Sequence, residues 1–328
     1  MNQLTPKPTQ ALITGGAGFI GSHLAEYLIA QGQKVHAVDD LSTGAITNLD
    51  GLKNNPDFGY TIADVRDEPV VAELVDRADV IYHLAAVVGV RNIVDSPVRT
   101  IETNIGCTEV ILRLANKKRK KVIVTSTSEV YGKSNAVPFT EEHDLVLGPT
   151  SKARWSYACS KAIDEFLTLA YSRARGLPVV VARLFNTVGP RQTGRYGMVL
   201  PTFVRQALMG QPITVHGDGT QTRCFSFVGE VVEALAALAE RPEAQGEVIN
   251  VGSQQEITIA ALAEMVKDLA QSTSKIVYVP YDEAFTEGFE DMARRAPDVS
   301  KLKGLVGKTP CRDIKSIVES VITYYRER

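Results

Sequence analysis

The chain has 328 residues, and 36 lysine and arginine residues against 38 aspartate and glutamate residues leave a formal net charge of −2. Hydrophobic residues make up 44% of the chain and charged residues 23%, which is enough apolar material for a core and excludes disorder as the main state. A near-neutral chain has no overall field that attracts nucleic acid or an anionic membrane surface, so neither is expected as a partner.

Local sequence patterns argue against several further classes of protein. No stretch approaches the ~20 apolar residues of a membrane helix, and the first ten residues, MNQLTPKPTQ, lack the apolar core of a signal peptide. The five histidines show no HxxxH or HExxH spacing, so no metal site is expected. The four cysteines form no CxxC pair, a pattern that predicts reduced thiols in a cytoplasmic protein.

Apolar runs and amphipathic segments alternate along the first half of the chain. Strands are predicted at residues 10–14, 35–38, 58–63, 80–85, 122–125 and 179–184. Helices are predicted between most of them, at residues 19–30, 69–77, 97–116 and 157–175. Because the strand runs are continuously apolar, they fit parallel strands that are buried on both faces. The sequence therefore predicts an α/β fold with a doubly wound parallel sheet of the Rossmann type.

The pattern changes after Asn186, where glycines and prolines cluster. A helix and a strand that are predicted to return to the first layer lie at residues 229–240 and 247–251. Two further helices are predicted at residues 258–271 and 313–326. We expect two parts: a first domain of residues 1–185, joined by 228–253, and a smaller interleaved lobe of residues 186–227 and 254–328.

The first predicted strand ends in a glycine-rich turn, TGGAGFIG, that opens the first predicted helix. Gly15, Gly18 and Gly21 lie three residues apart, as a dinucleotide site requires for a tight turn, close approach to a pyrophosphate and close packing of helix on strand. Asp39 follows at the end of the second strand, where a carboxylate accepts hydrogen bonds from an adenosine ribose and repels a 2′-phosphate. The motif predicts NAD in preference to NADP.

A second motif, YACSK, places Tyr157 and Lys161 four residues apart at the start of a predicted helix, on one face. A nearby ammonium is expected to lower the pKa of Tyr157, so that its phenolate acts as a base on a sugar hydroxyl. The run Ser126–Gly132 lies upstream at the end of a strand, and strand ends of this kind are where ligands bind in such sheets.

Together these motifs resemble those of the extended short-chain dehydrogenase/reductases that act on nucleotide sugars, and the resemblance runs nearly end to end. It is carried by TGGAGFIG, His83-Leu84-Ala85-Ala86, YxxxK, Leu184-Phe185-Asn186, Gln221-Thr222-Arg223 and Arg294-Arg295-Ala296-Pro297-Asp298. The resemblance implies a UDP-sugar substrate, held by the smaller lobe. It also implies a homodimer through the helices at residues 97–116 and 157–175.

The resemblance further implies a role for each matching residue. Tyr157 and Lys161 are the base and its partner, Thr127 hydrogen-bonds the sugar O4, and Glu129 completes the catalytic set. The residues expected to contact NAD are Gly15, Gly18, Phe19, Ile20, Gly21, Asp39, Asp64, Val65, Leu84, Ala85, Ala86, Asn104, Tyr157 and Lys161. Those expected to contact the substrate are Ser128, Asn186, Arg191, Arg223 and Arg295.

The triplet Thr127-Ser128-Glu129 bears on the reaction. The resembled 4-epimerases usually carry Thr, Ser or Ala at the third position, and TDP-glucose-type dehydratases read Thr-Asp-Glu. Thr-Ser-Glu is similar to UDP-glucuronate decarboxylases and to GDP-mannose 4,6-dehydratases, but the latter favour NADP and lack the stretch LFNTVGPR. The sequence therefore predicts a UDP-glucuronate decarboxylase that gives UDP-xylose or the 4-keto-pentose.

Other functions and simpler roles stay open at this point. The chain is alternatively a 4-epimerase of UDP-glucose, UDP-glucuronate or UDP-N-acetylglucosamine, a 4,6-dehydratase, or a non-catalytic NAD-binding regulator. Glu129 is either a catalytic carboxylate or a structural one that caps a helix. His83 is expected to be a packed residue at a strand end.

Overall fold

The computed structural model describes residues 9–89, 96–194, 197–284, 292 and 294–328. Its strands are β1 (Gln10–Thr14), β2 (Lys34–Asp39), β3 (Phe58–Ile62), β4 (Val80–His83), β5 (Lys121–Thr127), β6 (Val179–Leu184), β7 (Thr187–Val188), β8 (Ile213–His216), β9 (Thr222–Cys224), β10 (Ser226–Phe227), β11 (Glu247–Val251), β12 (Glu256–Thr258), β13 (Ile276–Val279) and β14 (Arg294–Arg295). Its α-helices are α1 (Phe19–Ala30), α2 (Glu68–Arg77), α3 (Pro97–Lys117), α4 (Trp155–Arg175), α5 (Val199–Leu208), α6 (Val228–Ala239), α7 (Ile259–Leu269), α8 (Tyr281–Ala284), α9 (Ser300–Val306) and α10 (Ile314–Arg326). Short 3-10 helices lie at Ile46–Leu49, Ser128–Tyr131 and Pro242–Ala244.

The main sheet has seven parallel strands in the order β11-β6-β5-β4-β1-β2-β3. The chain runs outward from β1 to β3 on one side and from β4 to β11 on the other. The order therefore reverses between β1 and β4, and a crevice forms there at the carboxyl ends of the strands. This arrangement confirms the doubly wound parallel fold that the alternating elements predict.

Helices cover both faces of the sheet. On one face, α1 and α6 bury a cluster that includes Leu24, Leu28 and Leu235. On the other face, α2 and α3 bury a cluster that includes Leu74 and Ile111. Burial on both sides explains why the strand runs are apolar throughout.

The smaller lobe has a core of its own, built mainly from α5, α7 and α10. Two short sheets border it, β13-β8 and β12-β9-β14. Strand β11 pairs in parallel with β6, so the segment that leaves the lobe does return to the main sheet. The division of the chain into two domains stays a prediction.

The structure also bears on membranes and metals within the residues it describes. None of the helices in this part of the chain is long and apolar enough to cross a membrane. Over the same residues, no three or more His, Cys, Asp or Glu side chains lie together in a way that could hold a metal ion.

Candidate active site

A cavity of about 780 Å³ opens at the carboxyl edge of the main sheet and extends into the smaller lobe. The glycine-rich turn and the ends of β2, β5 and β6 line its sheet side. Most of the predicted site residues line it: Gly15, Gly18, Phe19, Ile20, Gly21, Asp39, Asp64, Val65, Leu84, Ala85, Ala86, Thr127, Ser128, Glu129, Tyr157, Lys161, Asn186, Arg223 and Arg295.

The turn after β1 depends on its glycines. Gly15 has a φ of +70°, and a β-carbon on it would lie 2.9 Å from the Ala85 nitrogen. A β-carbon on Gly21 would lie 2.2 Å from the Gly15 carbonyl oxygen, so only glycine lets α1 pack this closely against the turn. Among the residues that the structure describes, no side chain caps the start of α1 at Gly18. The first backbone N–H groups of this helix are therefore available to an anion, which fits a pyrophosphate.

Asp39 lies at the end of β2 and is held in place by the turn. Its carboxylate accepts hydrogen bonds from the backbone N–H groups of Ala17 (3.0 Å) and Leu41 (2.8 Å). Burial raises the pKa of Asp39, and these backbone donors oppose the shift. Asp64, farther along the same wall, binds Arg66, whose guanidinium lowers the pKa of that carboxyl. The carboxylate of Asp64 is thus already engaged by a neighbouring side chain.

Two polar residues behind the wall have structural partners. The ring of His83 contacts the hydroxyls of Thr14 (2.8 Å) and Thr108 (3.1 Å), and burial lowers its pKa to about 3. His83 is therefore a neutral packed residue, as expected. Asn104 accepts a hydrogen bond from the Val87 N–H (2.8 Å) and donates one to Ser160 (3.1 Å). It supports the loop after β4 without lining the cavity, and its predicted contact with NAD stays a prediction.

Thr127 and Tyr157 meet at the end of β5. The Thr127 hydroxyl accepts a hydrogen bond from the Glu129 N–H (3.2 Å), which caps the 3-10 helix at Ser128–Tyr131, and it also hydrogen-bonds Tyr157. The pKa of Tyr157 is raised, by burial first and then by the charges of Glu129 and Asp164. The expected lowering of this pKa is therefore not found, because burial and two nearby carboxylates favour the neutral phenol.

The ammonium of Lys161 has a partner that the sequence motif does not include. Its Nζ lies 2.8 Å from Oδ2 of Asp164, and the two side chains are only 3% and 0% exposed. The signal for this pair is present in the sequence, because residues three apart on a helix share a face.

Glu129 faces a cation from the other end of the chain. Its Oε1 lies 3.4 Å from Nη1 of Arg295, which β14 places alongside Arg223 on β9. Both side chains of the pair are mostly buried. The helix cap comes from Thr127, so the Glu129 side chain is not the cap. The predicted contact of Arg295 with the nucleotide diphosphate stays a prediction.

The remaining predicted substrate residues differ in their placement. Asn186, with a left-handed φ of 32°, lines the cavity and donates a hydrogen bond to the Cys224 carbonyl (3.1 Å). Arg191 does not line the cavity. Its guanidinium binds Glu26 (2.5 Å) and Ser22 (3.2 Å) on α1. This placement gives no support to a role for Arg191 in substrate binding, which stays a prediction.

Sequence reasoning missed the side of the cavity that the smaller lobe forms. This side includes Phe203, Gln206, His216, Phe225 and Tyr281. These residues come from separate helices, strands and loops and form no local motif, so only the folded chain brings them together.

Comparison with known proteins agrees with this geometry. A family model described as GDP-mannose 4,6 dehydratase matches residues 12–321. The chain is 44% identical to UDP-N-acetyl-alpha-D-glucosaminuronate decarboxylase from Bacillus cytotoxicus, over 97% of this chain and 98% of that protein. It is 37% identical to UDP-glucuronic acid decarboxylase 4 from Arabidopsis thaliana, over 99% of this chain and 70% of that protein.

A solved structure shows the same fold. UDP-glucuronic acid 4-epimerase from Bacillus cereus, in complex with UDP-glucuronic acid and NAD, superposes with a TM-score of 0.88. Its sequence is 27% identical, and the match covers 97% of this chain and 99% of that one. The chain therefore belongs to the extended short-chain dehydrogenase/reductase family of NAD-dependent enzymes that modify nucleotide sugars.

Proposed function

We propose that the protein is a decarboxylase of a UDP-linked uronic acid, either UDP-glucuronate or its 2-acetamido counterpart. The observation that carries the proposal is the Glu129 carboxylate, which stands beside Arg295 in the cavity that holds Thr127 and Tyr157. Two relatives support it, because their names describe decarboxylases of these two sugars. NAD fits as the cofactor, since the glycine turn leaves room for a pyrophosphate and Asp39 stands where an adenosine ribose would lie.

The chain's own residues supply the acid–base chemistry. NAD, held by the glycine turn and Asp39, would supply an acceptor for the hydride from C4. Tyr157 removes the proton from O4, and the Thr127 hydroxyl, which hydrogen-bonds Tyr157, orients that oxygen. The resulting 4-ketone lies β to the C5 carboxylate. The C5–C6 bond then breaks, CO₂ leaves, and its electron pair remains as an enolate that takes up one proton at C5.

Glu129 and Arg295 favour the loss of CO₂. Two carboxylates at about 4 Å with an effective dielectric near 20 repel by roughly 4 kcal/mol. Release of CO₂ relieves this repulsion between Glu129 and the substrate. The Arg295 guanidinium limits the repulsion during binding and stabilises the enolate afterwards, while a water molecule that the Glu129 carboxylate orients delivers the proton to C5.

A 4-epimerase is the second candidate, favoured by the superposition on the UDP-glucuronic acid 4-epimerase. In that reaction the 4-keto sugar turns over in the cavity before hydride returns, and the substrate carboxylate is kept. A hydroxyl at the third triplet position would keep that carboxylate by hydrogen bonding. Glu129 repels it instead, which argues for decarboxylation.

Incubation with NAD⁺ and each candidate sugar tests the proposal. UDP-glucuronate, its 2-acetamido counterpart and UDP-glucose are supplied separately, and products are followed by NMR and by CO₂ release. We expect CO₂ and a UDP-pentose or 4-keto-pentose from a uronate.

Glu129→Ser should slow CO₂ loss far more than C4 oxidation, so that a 4-keto acid accumulates. Glu319→Ser, an exposed change on α10, is the control. If the protein converts UDP-glucose to UDP-galactose and leaves both uronates unchanged, the proposal that it is a decarboxylase is wrong.

A homodimer is also proposed. Its basis is the apolar outer face of α3 and α4, where Val98, Ile101, Ile163 and Phe166 are exposed. The cytoplasmic location that the sequence predicts stays a prediction.

A further inference from the structure

Asp164 is a buried carboxylate that none of the steps above uses. It lies 2.8 Å from the Lys161 ammonium, with 0% of its side chain exposed. An ammonium that is 3% exposed loses most of its hydration, so a buried charge of this kind needs a counter-charge beside it. Lysine has three N–H donors, so the bond to Asp164 leaves donors free for a ligand in the cavity that Lys161 lines.

A run of polar groups connects α3 to the glycine turn. The Thr108 hydroxyl contacts the His83 ring at 3.1 Å. The other ring nitrogen of His83 contacts Thr14 at 2.8 Å, and Thr14 accepts a hydrogen bond from the Ala85 N–H. Burial raises the pKa of Asp164, and the charge of Lys161 and the Thr108 hydroxyl oppose this shift. Over the described residues, Oδ1 of Asp164 has no hydrogen-bond partner, so the contact with Lys161 through Oδ2 is the main support of this carboxylate.

The other titratable groups around Asp164 do not compete for Lys161. On α4, Glu165 is bound by Arg183 (2.7 Å), and burial, followed by the charge of Glu129, raises the pKa of Tyr157. On α3, burial raises the pKa of the Cys107 thiol to about 12, and on β4 His83 is neutral. Among the described groups named here, Asp164 supplies the negative charge in contact with the ammonium.

We propose that Asp164 is a positioning residue whose carboxylate holds the Lys161 ammonium in place, and whose charge helps to set the pH at which Tyr157 acts as a base. The proposal concerns C4 oxidation, which every reaction considered for this chain shares, and it holds whether or not CO₂ is lost afterwards. It assigns Asp164 no contact with substrate or cofactor.

The proposal fixes the direction in which a charge-removing variant moves the pH profile. Tyr157 must lose its proton to act, which gives the profile its acidic limb. The negative charge of Asp164 is one of the causes that raise the pKa of Tyr157, so removing that charge lowers this pKa. Asp164→Asn, which keeps an oxygen for the Lys161 ammonium, should therefore move the acidic limb to lower pH by about one unit.

The experiment compares pH profiles of single-turnover C4 oxidation for the wild type, Asp164→Asn and Asp164→Glu. Asp164→Glu restores the charge and should return the acidic limb toward its wild-type position. The control is Asp76→Asn, which breaks the exposed Asp76–Lys118 pair (2.7 Å) and should leave the acidic limb unchanged. An unmoved acidic limb with only a lower amplitude would overturn the proposal.

Calorimetric binding of NAD⁺ needs no sugar substrate, so it tests Asp164 independently of the decarboxylase. The affinity for NAD⁺ should fall in Asp164→Asn, because the Lys161 ammonium loses its fixed position, and should recover in Asp164→Glu.

A second measurement applies even where Asp164→Asn does not fold. Lys161→Met leaves the buried Asp164 charge without its counter-charge and should lower the unfolding temperature. Adding Asp164→Asn to Lys161→Met removes that charge and should raise the unfolding temperature again. A further fall on adding Asp164→Asn would show that the carboxylate does not serve Lys161, and the proposal would be wrong.

Discussion

Asp39 illustrates how one side chain selects a cofactor. Its carboxylate is fixed by two backbone N–H groups and lines the cavity. We predict that the wild type binds NAD at least about tenfold more tightly than NADP, on the order of 1.4 kcal/mol. This is a modest fraction of the roughly 4 kcal/mol with which two charges interact at about 4 Å. In calorimetric titrations, Asp39→Asn should reduce the difference between the affinities for NAD and NADP. Asp40→Asn should leave most of that difference unchanged. Equal affinities in the wild type would remove Asp39 as the selector.

Tyr157 carries the second prediction at this scale. Tyr157→Phe removes one oxygen and should reduce turnover by at least the ~10²-fold typical of general acid–base catalysis. Folding and NAD binding should change little, because the ring keeps its packing. Tyr171→Phe, on the same helix, is the matched control and should keep its activity. Near-wild-type turnover of Tyr157→Phe would mean that another group is the base.

Individual residues were predictable to the extent that a local motif contains them. Thr127, Tyr157 and Lys161 lie in two short segments, and the cavity includes all three. The contact of Glu129 with Arg295 joins residues 166 positions apart, which no local pattern predicts. The direction of the Tyr157 pKa shift was also beyond the motif, since it depends on burial first and then on the charges of Glu129 and Asp164.

At the scale of elements, Asn250 on β11 explains how Arg295 reaches Glu129. Its side chain accepts a hydrogen bond from the Tyr131 hydroxyl (2.7 Å) and donates to the carbonyls of Phe139 (2.9 Å) and Asp298 (3.2 Å). Tyr131 ends the 3-10 helix that contains Glu129, and Asp298 lies three residues after Arg295. One buried amide thus fixes the two segments relative to each other.

Tyr131→Phe tests this connection. The change leaves the buried Asn250 oxygen without its donor, which costs about 1–3 kcal/mol of folding stability. We expect a lower urea midpoint and slower CO₂ release, with NAD binding unchanged. Tyr82→Phe, at a buried tyrosine on β4 of the main sheet, is the control. If both variants release CO₂ at the wild-type rate, the link between Asn250 and the Glu129–Arg295 pair has no catalytic consequence.

Long elements were predictable and short ones were not. Helix α1 spans Phe19–Ala30, as its apolar spacing predicts, and β6 spans Val179–Leu184. Helix α4 begins at Trp155, two residues earlier than predicted, and β4 ends at His83, two residues earlier. Strands β9, β12 and β14 have two or three residues each and pair across the smaller lobe. Segments this short carry no periodicity, and only tertiary contacts define them.

At the scale of the whole molecule, the outer face of α3 and α4 is the feature that the single chain leaves unsatisfied. Phe166 is 70% exposed and Val98 66% exposed, on two helices that pack against each other. Large apolar side chains that are exposed on one face mark interaction surfaces. In a two-fold dimer the same face of each subunit packs against its counterpart, so each of these side chains is buried in both subunits.

Phe166→Glu tests the dimer. Because of the two-fold symmetry, the single substitution places two carboxylates in one apolar interface. We predict that the wild type sediments as a dimer and that Phe166→Glu shifts it toward monomer. The unfolding temperature of the variant should be lower than that of the wild type. It should rise as the protein concentration rises, since association stabilises the folded chain by mass action. Met209→Glu, at a residue 62% exposed just after α5, is the matched control and should remain dimeric. A wild type that sediments as a monomer at every concentration would exclude this face as a self-association surface.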